Sequence, residues 1–230
     1  MKIISWNINN DYDYIDIDVK VQMIIELLNK IDVFVFGLQE VIPELYDKLY
    51  TRISKRQGLI KSYQISPKPS GVSYFTVLIS IFGAPTEDIK FQNTQMGRSY
   101  LCQKLQHISF ITTHLESLPM NISTRRNQIT EILKYNNKYP VIIFGDMNFT
   151  NKNERFGKLE FIDFTKKYNN TQKNTYTYDS KLNKNATPPY RSNLDRFYTN
   201  IHAKFTVEIL TEHNVSDHFP IMLTIDPVDN

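Results

Sequence analysis

The sequence predicts an α/β protein in which two mixed β-sheets pack face to face with helices outside them. Six short apolar runs, rich in β-branched and aromatic residues, have the character of strands, whereas only three segments have helical spacing. Strands follow one another as often as they alternate with helices, which argues against a repeated βαβ fold. The 230 residues are enough for one domain with a sizeable core.

The predicted strands are four to nine residues long, too short for typical helices. They are KIISW from Lys2, VFVFGL from Val33, YFTVLISIF from Tyr74, ISFITT from Ile108, VIIF from Val141 and IMLTI from Ile221.

Three segments have the periodicity of amphipathic helices. The first is predicted to begin at Asp18 as N-cap, and its apolar face comprises Val19, Met23, Ile24, Leu27 and Leu28. The second runs from Pro43 to Arg56, with proline in its first turn. The third begins near Asn121 or Ser123 and ends at Asn136. It presents Ile129, Ile132 and Leu133 on one face.

Composition excludes several classes of protein. The single cysteine, Cys102, rules out an intramolecular disulfide and every zinc site built on several cysteines. None of the seven glycines falls in a GxGxxG or GxxxxGK pattern, so a nucleotide-binding glycine loop is not expected. Because no long apolar run and no signal or transit sequence is found, we expect an intracellular protein, nuclear or cytoplasmic, without membrane contact.

The net charge of +3 is small, but residues 152–196 contain ten Lys or Arg against five Asp or Glu. Such a run indicates either a solvated loop or one side of a groove for nucleic acid.

Polar residues follow four of the predicted strands, and two further polar places lie in SNLDRF and just before the last strand. They are Asn7; Gln39 and Glu40; His114, Glu116 and Ser117; Asp146 and Asn148; Asp195; and Asp217 with His218. Any one of them alone is more simply a turn former, a helix cap or a core histidine. Six such places in one chain instead indicate a site where strand ends converge.

This set of side chains favours phosphate ester chemistry. Carboxylate and amide oxygens suit a hard cation such as Mg²⁺ or Mn²⁺, whereas nothing completes a tetrahedral zinc site around His213 and His218. Ser117 lies near His114 but lacks a GxSxG elbow, so a serine-hydrolase triad is not expected. A bound cation beside histidines suits metal-assisted hydrolysis of a phosphodiester or phosphomonoester.

Six motifs occur in the order WN, LQE, THLES, GDMN, NLDRF and SDH. This ordered set resembles the endonuclease, exonuclease and phosphatase superfamily from Ile3 to Ile225. The resemblance implies a DNase I-like fold, a four-layer sandwich of two mixed sheets flanked by helices, in a single catalytic domain over residues 1–230. Within the superfamily, LQEVIP, YFTVLI, THLES followed by RRNQ, and TYTYDSKLN look most like the tyrosyl-DNA phosphodiesterases.

The resemblance implies the roles of the metal and the attacking water. Glu40, with Asn7 behind it, would hold Mg²⁺ or Mn²⁺, and Asp217 would either contact the metal through water or cap its turn. Asp146, helped by Asn148, would orient and deprotonate the water.

The remaining implied roles concern phosphate and substrate. His218 would hydrogen-bond the scissile phosphate, while Asp195 fixes its tautomer and keeps it cationic unless it pairs with Arg196 or Arg191 instead. His114 and Ser117 would bind other phosphate oxygens. The implied substrate-binding residues also include Arg98, Arg125, Tyr178 and Leu194.

Three positions depart from the pattern of the tyrosyl-DNA phosphodiesterases. Asn9 replaces an aspartate near the metal, Tyr178 replaces a tryptophan in the channel wall, and Thr150 replaces an arginine after GDMN, although Lys152 and Arg155 lie nearby. We therefore expect the substrate fit and metal preference to differ more than the core chemistry.

The implied reaction is hydrolysis of a 5′-phosphotyrosyl bond between DNA and a trapped topoisomerase remnant, by a monomer that binds single-stranded 5′ ends. Protein-linked RNA stays open as a substrate. Two alternatives also stay open: another phosphohydrolase of the superfamily (abasic endonuclease, DNase-like nuclease or phosphoinositide phosphatase), or a catalytically silent scaffold for DNA ends.

Overall fold

The computed structural model describes residues 1–9, 16–136, 140–149, 162–163 and 176–226. The helices are α1 Ile17–Lys30, α2 Pro43–Ser54 and α3 Ile122–Tyr135. The strands are β1 Lys2–Asn7, β2 Val35–Val41, β3 Gln64–Ile65, β4 Phe75–Ser80, β5 Thr86–Lys90, β6 Ser99–Lys104, β7 Ser109–His114, β8 Val141–Asp146, β9 Ile162–Asp163, β10 Tyr178–Asp179, β11 Arg191–Ser192, β12 Asp195–Thr199, β13 Phe205–Ile209 and β14 Ile221–Ile225.

The predicted fold class is confirmed, because two six-stranded mixed sheets form the body of the molecule. The first sheet has the order β13-β14-β1-β2-β4-β3, and the second has the order β5-β6-β7-β8-β12-β9. In each sheet one central pair is parallel, β1 with β2 and β7 with β8, and the other pairs are antiparallel. The six apolar runs predicted as strands contribute β1, β2, β4, β7, β8 and β14.

A buried apolar layer joins the two sheets face to face. Its members include Ile3, Val35, Phe110, Phe144, Phe197 and Leu223. Gly37 lies where β2 crosses the second sheet, and a Cβ at this position would overlap the Thr112 side chain and the ring of Phe144. Glycine at this position therefore allows the two sheets to approach each other closely.

The helices cover the outer faces of the two sheets. Helices α1 and α2 bury their apolar faces in a cluster with the first sheet, and α3 packs against the second. Two details of α1 differ from the prediction. Asp16, not Asp18, is the N-cap, since its carboxylate accepts from the backbone N of Asp18. The helix therefore starts earlier, and Val19 is 46% exposed while Val21 lies in the core.

Four strands with five or six residues were missed by the sequence patterns: β5, β6, β12 and β13. Strand β5 lies at the edge of its sheet and exposes Glu87, Asp88 and Lys90, so charged residues hide its strand character. No helix among the described residues is long and apolar enough to cross a membrane. Much of the basic run at 152–196, with Thr150, Lys152 and Arg155, lies outside the described residues.

Candidate active site

Three predicted site residues lie side by side where strands of the second sheet end. The parallel register of β7 and β8 pairs His114 with Asp146, and the antiparallel register of β12 and β8 pairs Asp195 with Asp146. All three residues are buried. Hydrophobic strands thus carry their polar ends into one row.

Strained backbone places the side chains at both sheet ends. Pairing between β2 and β4 shifts register between Leu38 and Val41, and within this irregularity Glu40 has a φ of 58°. Asn148, after β8, has a φ of 52°. Left-handed backbone is unfavourable for glutamate, whereas asparagine adopts it more readily, and residues in this conformation tend to cluster at functional sites. Gly145 has a φ of 144°, and a Cβ there would overlap the carbonyl oxygen of Thr113, so this position of the GDMN motif needs glycine.

Asn7 links the first sheet to the second across the site. Its Nδ2 donates to Asp146 Oδ2 at 3.0 Å and to Glu40 Oε1 at 3.3 Å. Its Oδ1 accepts from the backbone N of Asn9 at 3.0 Å. Asn7 therefore orients the carboxylates of Asp146 and Glu40 toward its own amide nitrogen. Its amide oxygen is bonded to the backbone N of Asn9 and not directed at this point.

His218 is held as an imidazolium by acidic neighbours. Its Nδ1 lies 2.8 Å from Asp195 Oδ2, and both side chains are buried. Burial alone would lower the pKa of His218, but the charges of Asp195, Asp217 and Asp146 raise it well above its ordinary value. The proton on Nε2 is directed toward Asp146, whose Oδ2 is 4.0 Å away. Arg191 instead pairs with Asp179 at 2.8 Å, so it does not compete for Asp195.

His114 has the opposite protonation state. Arg98 Nη1 lies 3.0 Å from its Nδ1, and because a guanidinium can only donate, Nδ1 must accept. The proton of a neutral ring is then on Nε2, which lies 3.4 Å from Asp146 Oδ2 and 3.9 Å from Glu40 Oε1. Burial and the charge of Arg98 lower the pKa of His114 well below its ordinary value, which agrees with this tautomer.

Asp146 is the carboxylate shared by these groups. Burial, reinforced by the negative charge of Asp195, raises its pKa to about 6, while His218 and the donors Asn7 and backbone N of Asn148 oppose the rise. A buried carboxylate that ionises just below neutral pH is suited to accept a proton.

The donor set fits a hard divalent cation. Asp146, Asp195 and His218 place ligand atoms within 4.8 Å of one another. However, His218 Nδ1 and Asp195 Oδ2 are bonded to each other at 2.8 Å, so this trio leaves few ligand atoms for a cation. Glu40 and Asp146 approach the same Asn7 amide group, and their like charges favour a bound cation between them. Asp217 influences the site by its charge beside His218, and its carboxylate accepts from Ser216 at 3.2 Å.

Comparison with known proteins identifies the family. Residues 4–218 match the Endonuclease/Exonuclease/phosphatase family. The chain belongs to this family.

Two curated family members named tyrosyl-DNA phosphodiesterase 2 are similar to this chain. The Homo sapiens protein is 27% identical over 213 residues, and the Danio rerio protein is 27% identical over 215 residues. These matches cover 85% and 86% of this chain and 56% of each relative, so the chain spans just over half of their length.

Solved structures of the family share the fold. The structure described as D. rerio TDP2 complexed with single strand DNA product has a TM-score of 0.81 and 25% identity, with 99% of both chains covered. Truncated Caenorhabditis elegans TDP2 has a TM-score of 0.74 and 24% identity, covering 97% of this chain and 96% of that one, which shows the fold alone.

Within this family framework, one predicted substrate contact is wrong. Arg125 is 0% exposed, and its Nη1 donates to the backbone oxygens of Glu116 and Leu118 at 3.0 and 2.8 Å. It therefore fixes the chain after β7 and has no surface to offer a substrate. Arg98 also lies among buried side chains, but it contacts His114 and reaches Ser117 Oγ at 3.1 Å.

The other predicted residues surround the row of strand ends. Asn148 donates through Nδ2 to Leu115 O at 3.1 Å and to Ser117 Oγ at 3.4 Å, while its backbone N holds Asp146 Oδ1 at 2.9 Å. The ring of Tyr178 packs edge-on against His218, with centroids 5.2 Å apart. Leu194 is buried, and its backbone oxygen accepts from Met147 at 2.9 Å.

Two supporting residues had no role in the sequence interpretation. Thr177 Oγ1 accepts from the backbone N of Leu194 and of Asp195 at 3.0 and 3.2 Å, and Thr177 O accepts from Phe219 N at 2.7 Å. It thus ties the segments that carry Asp195 and His218. Tyr74 lies with its ring centroid 5.2 Å from Arg98 Cζ. Thr177 lies in the TYTYDSKLN motif and Tyr74 begins the YFTVLI motif, but neither motif indicated these roles.

Proposed function

We propose that this chain is a divalent-metal-dependent phosphodiesterase that hydrolyses 5′-phosphotyrosyl bonds at DNA ends and leaves a 5′-phosphate. The observation that carries the proposal is the approach of His114 Nε2 and His218 Nε2 to Asp146 Oδ2, at 3.4 and 4.0 Å, in one row of buried strand ends. Such a site can accept a proton from water and donate hydrogen bonds to a phosphate at the same time.

In this mechanism Asp146 accepts the proton of the attacking water, and the water oxygen forms a bond to phosphorus. The phosphorus–oxygen bond to tyrosine breaks as negative charge grows on the phosphoryl oxygens. His218 stabilises that charge through Nε2–H, and His114 donates from its own Nε2–H. Tyrosine leaves as a phenolate with a free pKa near 10, so a strong general acid is not required.

Mg²⁺ or Mn²⁺ held by Glu40 would supply Lewis-acid polarisation of the phosphate when bound, while Asp146 acts as the base. Asn7 keeps both carboxylates directed toward that position. We expect Glu40→Gln to weaken metal binding measured by calorimetry.

The leaving group has a cavity available next to these residues. A space of about 310 Å³ is lined by His114, Arg98 and Tyr74, together with residues 69–73. An aromatic ring and a guanidinium suit a phenol with an attached peptide. The similarity to tyrosyl-DNA phosphodiesterase 2 supports the same substrate class.

The test compares three substrates with purified protein: a 5′-tyrosyl oligonucleotide, an abasic duplex and a phosphoinositide, each with Mg²⁺ and with EDTA. We expect strong preference for the tyrosyl oligonucleotide and loss of cleavage in EDTA. Preference for either other substrate would replace the proposed function with another phosphohydrolase activity. Binding of the DNA end without cleavage of any ester would favour a scaffold.

A further inference from the structure

Glu116 is a fully buried carboxylate that the proposed reaction does not use. It follows β7, two residues after His114, and its exposure is 0%. A buried carboxylate is costly unless donors surround it, so its partners indicate what it is for.

The partners of Glu116 come chiefly from the connection between β5 and β6. Oε1 accepts from the backbone N of Gln95 and of Met96, each at 2.7 Å. Oε2 accepts from Thr94 Oγ1 at 3.0 Å and from Gln128 Nε2 at 3.2 Å. These charge-assisted bonds tie the loop of residues 94–98 to the end of β7.

The 94–98 loop ends at Arg98, and the Thr94 hydroxyl links Glu116 to the backbone of Arg98. Thr94 Oγ1 accepts from the backbone N of Arg98 at 2.7 Å while it donates to Glu116. The guanidinium of Arg98 then lies 3.0 Å from His114 Nδ1 and 3.1 Å from Ser117 Oγ. Glu116 is thereby joined to two phosphate-binding candidates through one loop.

We propose that Glu116 is a positioning residue: it anchors the 94–98 loop so that Arg98 holds His114 with its Nε2–H directed at the phosphate. This inference rests on the proposed function and adds a residue to it. Without the anchor, Arg98 loses its fixed register and His114 loses the donor that selects its tautomer. The chemistry at Asp146 and His218 is left in place.

The first experiment is Glu116→Gln, which keeps the shape but turns one oxygen into a donor facing other donors. We expect kcat/KM on the 5′-tyrosyl oligonucleotide to fall about tenfold or more, since about 1.4 kcal/mol corresponds to tenfold. The matched control is Glu131→Gln. Glu131, on α3, accepts from the backbone N of Gln92 at 3.0 Å, and Gln92 belongs to the same connection between β5 and β6. This bond does not involve Thr94 or Arg98, so activity should be unchanged.

A double-mutant cycle separates positioning from general support of the fold. If Glu116 acts through Arg98, Glu116→Gln should change kcat/KM less than twofold in an Arg98→Ala background. Fully additive losses would overturn the proposal. Thr94→Val removes only the hydroxyl between Glu116 and the backbone N of Arg98. It should reproduce part of the loss in kcat/KM with little change in the urea midpoint. This variant keeps the test valid should Glu116→Gln unfold.

A spectroscopic measurement tests the inference independently of activity. Long-range ¹⁵N NMR of the metal-free protein should show His114 as the Nε2–H tautomer in the wild type, and a mixture of tautomers in Glu116→Gln or Thr94→Val. An unchanged tautomer in folded variants would refute the role of Glu116. Inactivity of the wild type on the tyrosyl oligonucleotide, with the tautomer shift present, would refute the proposed substrate alone.

Discussion

Replacing Asp195 by Asn is expected to lower the pKa of His218 toward its ordinary value. The change keeps the shape of the side chain 2.8 Å from His218 Nδ1 but removes its charge. Hydrogen bonds to charged groups contribute about 1.5–3 kcal/mol, so loss of the charge on Asp195 should remove an interaction of about this size. NMR titration of His218 in the metal-free protein measures the shift, with Asp226→Asn, at the surface beside Lys204, as control.

The same change has a signed effect on stability. Because the folded pKa of His218 lies above its unfolded value near 6.5, the pair stabilises the fold fully below that pH and loses its contribution as pH rises through the folded pKa. The wild type should therefore exceed Asp195→Asn in urea midpoint by the most at mildly acid pH and by less at alkaline pH. An unchanged His218 pKa, or a gap that widens at high pH, would refute this reasoning.

Three further predictions address the base, the strand end and the corrected arginine. Asp146→Asn should lower the single-turnover rate at least about a hundredfold while DNA-end affinity by fluorescence anisotropy stays nearly intact; near-normal turnover would remove Asp146 as the base. Gly145→Ala should reduce the free energy of unfolding by about 2–4 kcal/mol, because its φ of 144° and the Thr113 carbonyl leave no room for Cβ; a variant as stable as the wild type contradicts that geometry. Arg125→Met should lower the melting temperature and leave KM nearly unchanged, and a rise in KM at full stability would restore it as a substrate contact.

The fold was predictable where apolar strands dominate the sequence. Strands such as β1 and β8 are buried runs of β-branched residues, so their periodicity and length suffice. Strand β5 carries TEDIK at a sheet edge, where charged side chains protect against unwanted pairing and conceal the strand.

The candidate site was predictable as an inventory more than as a set of contacts. Asp146 and His114 were found because polar residues end apolar strands, whereas Asp195 was found in the NLDRF motif; strand register brings all three together. Arg98 and Arg125 look alike as basic residues in motifs, yet one contacts His114 and the other is sealed in the core. That distinction depends on tertiary packing, which a single sequence does not encode locally.

The central claim is that one row of strand-end side chains directs water onto the phosphorus of a tyrosyl ester. Single-turnover cleavage of a 5′-tyrosyl oligonucleotide in ¹⁸O-labelled water tests it most directly. We expect one ¹⁸O atom in the new 5′-phosphate, none in tyrosine, and loss of product in Glu40→Gln, Asp146→Asn and His218→Asn. Label in the released tyrosine, or undiminished product from all three variants, would contradict it.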